Sequence, residues 1–310
     1  MSCGKNHGRL RACPKRPVRL RTAVAAWTAL FALFVILEDA MALSRSDIVV
    51  SADRIAQGDS ASIAVRTKDG TKPQVRWMGR PVYLVSDAGN TAWYGFFGVD
   101  LGAEPGTAPL DVVLEATGEK QQLDITIVKK DRGVRVLTLP KEMVELDRVT
   151  LERVRKESQV MKEVLGAPPF VPLWNGTFVK PLEGEVVGVF GTRSIINGMN
   201  RSPHSGVDLR ADEGTPVRSI QKGKVVLIAD HFFSGRSVVV DHGGAIQSMY
   251  FHLEKTLVKE GEEVKKGQVI GLVGSTGRAT GPHLHFGMRV NGARVDPMQF
   301  VDLSEHMERP

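Results

Sequence analysis

Gly274-Ser-Thr-Gly-Arg-Ala-Thr-Gly-Pro-His-Leu-His-Phe286 is the stretch on which the reading of this chain turns. Its three glycines and Pro282 mark a loop, and the residues that follow have the period of a β-strand. His283 and His285, at i and i+2, then project from one strand face. A further histidine and an aspartate stand some eighty residues earlier, in His204-Ser-Gly-Val-Asp208, and His252 lies between. Three nitrogen or oxygen ligands with one open position make a catalytic zinc site. These five residues supply three ligands and leave two imidazoles over, a surplus that points to hydrolysis rather than to a structural metal.

Around this stretch, residues 175–303 read as almost entirely β. Gly214-Thr-Pro-Val217 with Gly223-Lys-Val225 resembles Gly261-Glu-Glu-Val264 with Gly267-Gln-Val269, each predicting a strand, a turn and a second strand. Glycine supplies the left-handed positions that such corners require. Residues 236–240 and 245–252 predict a hairpin through Asp241-His-Gly-Gly244, which makes His242 a structural turn residue, while His231 reads as a loop residue. The same internal similarity would suit a lipoyl- or biotinyl-carrier module, but no Met-Lys-Met or Asp-Lys-Ala tip is present to hold such a cofactor. There is no His-Glu-x-x-His helix and no Gly-x-Ser-x-Gly elbow.

Residues 140–166 predict an amphipathic helix. Met143, Leu146, Val154, Met161, Val164 and Leu165 fall on one side, and Lys141, Glu145, Arg148, Glu152, Arg155, Gln159 and Glu163 on the other. Gly166 stops it and Pro168-Pro169 prevents its resumption. Two roles fit: a connecting helix packed on one domain, or an autoinhibitory element over the cleft. Residues 44–130 predict short strands at 48–50, 60–66, 81–86, 110–115 and 122–129, separated by Gly- and Asp-rich turns. Alternation is clear in Leu123-Asp-Ile-Thr-Ile-Val128, and the spacing suggests a small immunoglobulin-like sandwich. With no convergent His/Cys cluster, it reads as a spacer or docking module.

The basic balance of the chain is local. Residues 1–42 hold Lys5, Arg9, Arg11, Lys15, Arg16, Arg19 and Arg21 against Glu38 and Asp39, so +5 of the net +6 lies there and residues 43–310 carry about +1. A nearly neutral body gives no electrostatic case for nucleic acid. Within 1–42 a basic stretch precedes an apolar run from Ala23 to Leu37 and then Ala40-Met-Ala42, the order of a secretory signal peptide. The run is short for a spanning helix, though an uncleaved anchor is the alternative. Either way the body is expected to be exported, periplasmic or anchored in the inner membrane facing the periplasm. Cys3 and Cys13 both precede the apolar run, so no disulfide is expected in the body.

Three stretches together carry a family resemblance: Ser202-Pro-His-Ser-Gly-Val-Asp-Leu209, Ser248-Met-Tyr-Phe-His-Leu253 and the opening stretch through Phe286. Residues 181–300 resemble the LytM/lysostaphin-type zinc endopeptidases, family M23, and residues 137–203 look like its Gram-negative periplasmic, multidomain branch. The resemblance implies a mainly β chain whose last domain is an open antiparallel sheet with a groove across its centre. It assigns His204, Asp208 and His285 as Zn2+ ligands. It assigns His283 as general base and His252 to orienting the water or stabilising the oxyanion, with the two roles open to exchange. The implied reaction is attack of a zinc-activated water on a peptide cross-link of peptidoglycan.

The staphylococcal branch carries an active-site Tyr six residues before the first His ligand, and Gly198 stands there instead. This turns the expected bond from glycyl-glycine toward D-alanyl–meso-diaminopimelate. Asn200, Arg201 and Arg278 are the candidate substrate-binding residues, the arginines for a substrate carboxylate. The competing reading is a non-catalytic LytM-type activator of a cell-wall amidase. Such relatives usually lack a ligand or a catalytic histidine, whereas all five are present here. A regulatory or adaptor protein is a possible partner, and a membrane only through an uncleaved leader.

Overall fold

The computed structural model of the protein describes residues 43–138 and 145–307. The expected leader, residues 1–42, lies outside them. Nine strands come first: β1 (Ile48–Val50), β2 (Arg54–Ala56), β3 (Ser60–Arg66), β4 (Gln74–Trp77), β5 (Arg80–Val82), β6 (Val85–Ser86), β7 (Ala92–Gly98), β8 (Gly106–Leu114) and β9 (Glu119–Val128). They form two sheets, of order β1-β3-β7-β6 and β2-β9-β8-β4-β5. Alternation on β9 buries Leu123, Ile125 and Ile127 against Ile63, Val65 and Phe97 of the other sheet. The pairing of β2 with β9 is parallel and nonlocal, so strand spacing does not disclose it.

β7 has no alternation, because both its faces are covered. Phe97 enters the core between the two sheets, while Tyr94 and Phe96 enter the core of the C-terminal domain. There Phe96 meets Trp174 at 5.4 Å and Phe300 at 5.0 Å between ring centroids. At Gly98 a Cβ would stand 2.7 Å from Val295, so only glycine lets the two parts approach this closely. Arg132, almost wholly buried, bridges Asp59 and Asp296, and Arg294 forks onto Asp100. Burial opposes ionisation of Asp100, but the hydrogen bonds from Arg294 prevail and lower its pKa to about 2. The sandwich is therefore packed into the body, a closer union than a spacer needs.

The C-terminal part is a ten-stranded sheet in which every pairing is antiparallel. In chain order the next strands are β10 (Val134–Leu137), β11 (Val186–Gly188), β12 (Arg193–Ile196), β13 (Met199–Asn200), β14 (Gly206–Arg210), β15 (Pro216–Arg218) and β16 (Gly223–His231). They are followed by β17 (Gly235–Asp241), β18 (Ile246–Thr256), β19 (Glu263–Val264), β20 (Val269–Val273), β21 (His283–Val290) and β22 (Ala293–Val295). The path β11-β14-β21-β18-β17-β16-β19 is the floor on which the site is built. The two similar segments interleave: β15 pairs with β20 and β16 with β19, so neither closes on itself. β10, β12 and β13 form a separate small sheet beside it.

Three expectations need correction. Helix α1 runs Arg148–Leu165, not from residue 140, because the Asp147 carboxylate caps the amides of Val149 and Thr150. Residues 145–147 are not helical, and Met143 lies outside the described residues. His231 ends strand β16 instead of lying on a loop. The expected β domain also holds a helix, α2 (Pro297–Glu305), with Asp296 as N-cap and Pro297 in the first turn. The Asp-Pro pair was the available signal for it.

Candidate active site

Cross-strand register builds the site. On β14 and β21, Asp208 lies directly opposite His285, and Arg210 opposite His283. Leu209, Leu284 and Phe286 point into the core, so Asp208, His283 and His285 share the other face. His204 arrives from the turn before β14. Its backbone is fixed by Gly191 N–H donating to its carbonyl and by its own N–H donating to Thr192. Its ring Nδ1 lies 3.1 Å from the Val189 carbonyl, which fixes the tautomer and leaves the Nε2 lone pair free.

The three inner atoms close a triangle. His204 Nε2 is 3.1 Å from Asp208 Oδ1 and 3.0 Å from His285 Nδ1, and His285 Nδ1 is 2.9 Å from Asp208 Oδ1. Hydrogen bonds cannot fill all three sides of such a triangle: His204 Nε2 and Asp208 Oδ1 are both acceptors in this tautomer, and only His285 Nδ1 can carry a proton between them. One cation at its centre satisfies all three sides. Tetrahedral zinc with ligand bonds of about 2.0–2.1 Å sets its ligand atoms about 3.3 Å apart. The donor set fits the metal. Burial opposes ionisation of Asp208, but the facing His204 and His285 rings prevail and hold its carboxyl well below the ordinary range. Burial drives the pKa of His285 down.

Two glycines make room for these ligands, and composition alone did not disclose either. A Cβ at Gly206 would stand 2.7 Å from His285 Nε2. Gly188 pairs with Asp208, and any side chain there would enter the carboxylate.

His252 reaches the same face by a different route. Tyr250 and Leu253 both lie in the core. Strict alternation cannot place both inward, because three residue steps separate them. The partner strand advances from Val238 to Arg236, two residues, while β18 advances three. This is a β-bulge, and His252 carries it with φ at 63°, a left-handed conformation. The bulge sends both Phe251 and His252 to the metal face. Phe251 stacks on His285 at 5.3 Å between rings, and His252 lies 4.7 Å from the His283 ring.

Both spare imidazoles are oriented by carbonyls. His252 Nδ1 is 2.8 Å from Thr276 O, and His283 Nδ1 is 2.9 Å from Gly281 O. The acceptors fix N–H at Nδ1 in each ring, so each offers only a lone pair at Nε2. His283 Nε2 is 3.9 Å from Asp208 Oδ1. Burial lowers the pKa of His252 to about 4, against the opposing Thr276 carbonyl, so it is a neutral acceptor at pH 7. The loop before His283 thus holds His252: Thr276 also donates to Leu253 O and accepts from Arg236 N.

Of the other candidates, Arg201 lies close enough to Arg278 for its charge to be felt there. Burial, and next the charge of Arg201, lowers the pKa of Arg278. Its guanidinium lies 4.2 Å over the Phe233 ring. Among the described residues neither arginine has a carboxylate partner. Asn200 stands exposed on β13, its backbone paired with Ile195, and no contact among the described residues joins it to the cluster. His242 is wholly buried and bonded to Lys222 O and Ser248 Oγ, a structural role.

Comparison with known proteins agrees with this geometry. The model of peptidase family M23 matches residues 202–297. Peptidoglycan DD-endopeptidase ShyB of Vibrio cholerae is 45% identical over 97 residues, 31% of this chain and 23% of that protein. ShyA of the same organism is 46% identical over 98 residues, 32% of this chain and 23% of that protein. The chain thus spans about a quarter of the length of these curated relatives. The glycyl-glycine endopeptidase ALE-1 of Staphylococcus capitis is 42% identical over 110 residues, 34% of this chain and 30% of that protein. A crystal structure of a Pseudomonas aeruginosa protein described as an M23 peptidase covers 80% of this chain and 95% of its own, at 33% identity and a TM-score of 0.62. Likeness that extends across the sandwich as well as the metal face shows that the chain belongs to peptidase family M23, a family of metallopeptidases.

Proposed function

We propose that the protein is a zinc-dependent endopeptidase that hydrolyses peptide cross-links of bacterial peptidoglycan, at the D-alanyl–meso-diaminopimelate bond. The observation that carries this reading is the triangle of donor atoms on His204, Asp208 and His285, flanked on one face by two imidazoles that each present a free Nε2. When bound, zinc supplies a Lewis acid that brings the pKa of water toward about 7 and polarises the scissile carbonyl. His283 Nε2 takes the proton of the attacking water and returns it to the leaving amine. His252 accepts a hydrogen bond from that water and orients it. With its Nδ1–H held by Thr276, neutral His252 has no hydrogen to offer an oxyanion, which favours the orienting role.

Two observations support the bond. The names of the Vibrio relatives are DD-endopeptidases, and Gly198 replaces the tyrosine of the staphylococcal branch. The cations Arg201 and Arg278 suit the carboxylate beside the cleaved amide. The substrate lies outside the cytoplasm, so the basic and apolar residues 1–42 are read as an export leader or anchor. Among the described residues no helix is long and apolar enough to cross a membrane.

Digestion of diaminopimelate-type sacculi by the zinc-loaded chain, with and without a chelator, tests the proposal. Mass spectrometry is expected to show cross-linked dimers converted to monomers, and the conversion abolished by chelation. Dimers that persist in the zinc-loaded digest would sink it.

A further inference from the structure

Helix α1 packs on the metal-bearing face of the sheet. Met161, Val164 and Leu165 meet Leu227, Val239 and Met249. Arg153 donates to Asp230 O, and Phe232 N–H donates to Glu157. The two hydrogen bonds lie at the far side of the floor, on β16 and the turn after it, and the apolar contacts extend across β17 to Met249 on β18. None of them is with His204, Asp208, His252, His283 or His285. Between the helix and the floor is a cavity of about 540 Å³, lined by Val154, Met161, Leu165, Phe233, Phe251 and Arg289 among others. Phe251 belongs to both places, since its ring lines the cavity and stacks on His285. The cavity borders the site through Phe251, and the helix is its wall.

Arg289 stands on the same strand and face as His285, four residues on, about 13 Å along the strand. Between them lies Gly287, over which the Met249 side chain packs. Arg289 is half-buried, and its one hydrogen bond is to the Gly292 carbonyl. Among the described residues no carboxylate pairs with it, and Asp100, the acid nearby, is taken by Arg294. A guanidinium in a mostly apolar cavity, left without a partner, matches a carboxylate carried on an aliphatic arm.

We infer that this cavity is a substrate subsite in which α1 and Phe251 pack an aliphatic arm of the stem peptide and Arg289 binds the carboxylate at its end. The inference rests on the endopeptidase reading. In a cross-linked dimer the arm that fits is the diaminopimelate side chain of the donor stem, whose carboxylate is remote from the cleaved bond. Arg201 and Arg278 are left for the carboxylate next to it. The helix is then a groove wall that helps substrate bind, not an autoinhibitory lid.

The test uses two cross-linked dimers that differ only in that remote carboxylate, free or amidated. Binding to the metal-free full chain is measured by calorimetry, and cleavage by the zinc-loaded chain is measured in parallel. The wild type is expected to bind the free acid at least 10-fold more tightly than the amide. Arg289→Gln should remove that preference, mainly through KM, while Arg289→Lys keeps part of it. Loosening the wall with Met161→Ser should weaken binding of both dimers. A wild type without preference, an Arg289→Gln that retains it, or a Met161→Ser that cleaves faster each overturns the subsite. Wild-type binding with the expected preference but no cleavage would overturn the proposed activity and leave the subsite standing.

Discussion

If Asp208 is a zinc ligand as proposed, a single added methyl group should displace it and weaken zinc binding. Gly188 pairs with Asp208 across β11 and β14. In Gly188→Ala the new Cβ would stand 2.7 Å from Asp208 Cγ and 2.9 Å from its Cβ, with Oδ2 closer still, whereas ordinary contact begins at 3.4 Å. The carboxylate carbon must therefore retreat by about 0.7 Å, against a tolerance of about 0.2 Å for ligand distances. The φ of Gly188 is not in the left-handed region, so alanine adds crowding there and no backbone strain. Disturbing what holds a ligand in place typically costs 10–100-fold in metal affinity, about 1.4–2.7 kcal/mol. Zinc affinity is measured by competition with a chromogenic chelator, and thermal melting of the metal-free protein serves as the control. The expected result is a zinc Kd raised at least 10-fold, with the zinc-dependent rise in Tm reduced to match. An unchanged zinc Kd would refute the reasoning, because either the strand yields or Asp208 is not a ligand.

Other outcomes follow from the same geometry. His283→Ala and His252→Ala should each keep zinc affinity within a few fold while lowering kcat by about 10²–10⁴; loss of the metal in either variant would reassign that residue as a ligand. Burial lowers the pKa of His242 from 6.5 to about 4, so the unfolded chain takes up the proton first as pH falls. Its contribution is complete above pH 6.5 and is lost as pH falls through 4, a change of up to about 3 kcal/mol. His242→Gln should flatten that part of the urea-midpoint curve, and a slope like the wild type's would count against it. Phe96→Ala opens the aromatic cluster shared with Trp174, Phe178 and Phe300, and should cost about 3–5 kcal/mol in one cooperative transition. A separate early transition of the sandwich would show that the two cores are not joined.

Much of the metal face was legible because its rule is local. His283 and His285 share a face by the period of a strand, and the Asp208 motif needs only one antiparallel neighbour to meet them. The same rule misleads at His252. Read by alternation it belongs on the face opposite Phe251, and only a left-handed residue in a bulge puts both on the metal side. That bulge is set by pairing with β17, which the residues around His252 do not contain. β7 is similar in kind: its unbroken apolar run indicates cover on both faces, but not which domain supplies the second layer. The start of α1 and the whole of α2 were within reach, since Asp147 and Asp296-Pro297 are ordinary capping signals.

By itself the chain's order of residues determined the mainly β composition and the shared face of His283 and His285, which follow from side-chain type and a short repeat, and its three motifs named the five chemical groups. The tertiary structure alone decided that β15 pairs with β20, that Gly188 must stay empty beside Asp208, that Thr276 orients His252, and that α1 walls a cavity ending at Arg289. Each of these depends on atoms far apart in sequence meeting within a few ångströms, and such distances are set by the packing of the whole body.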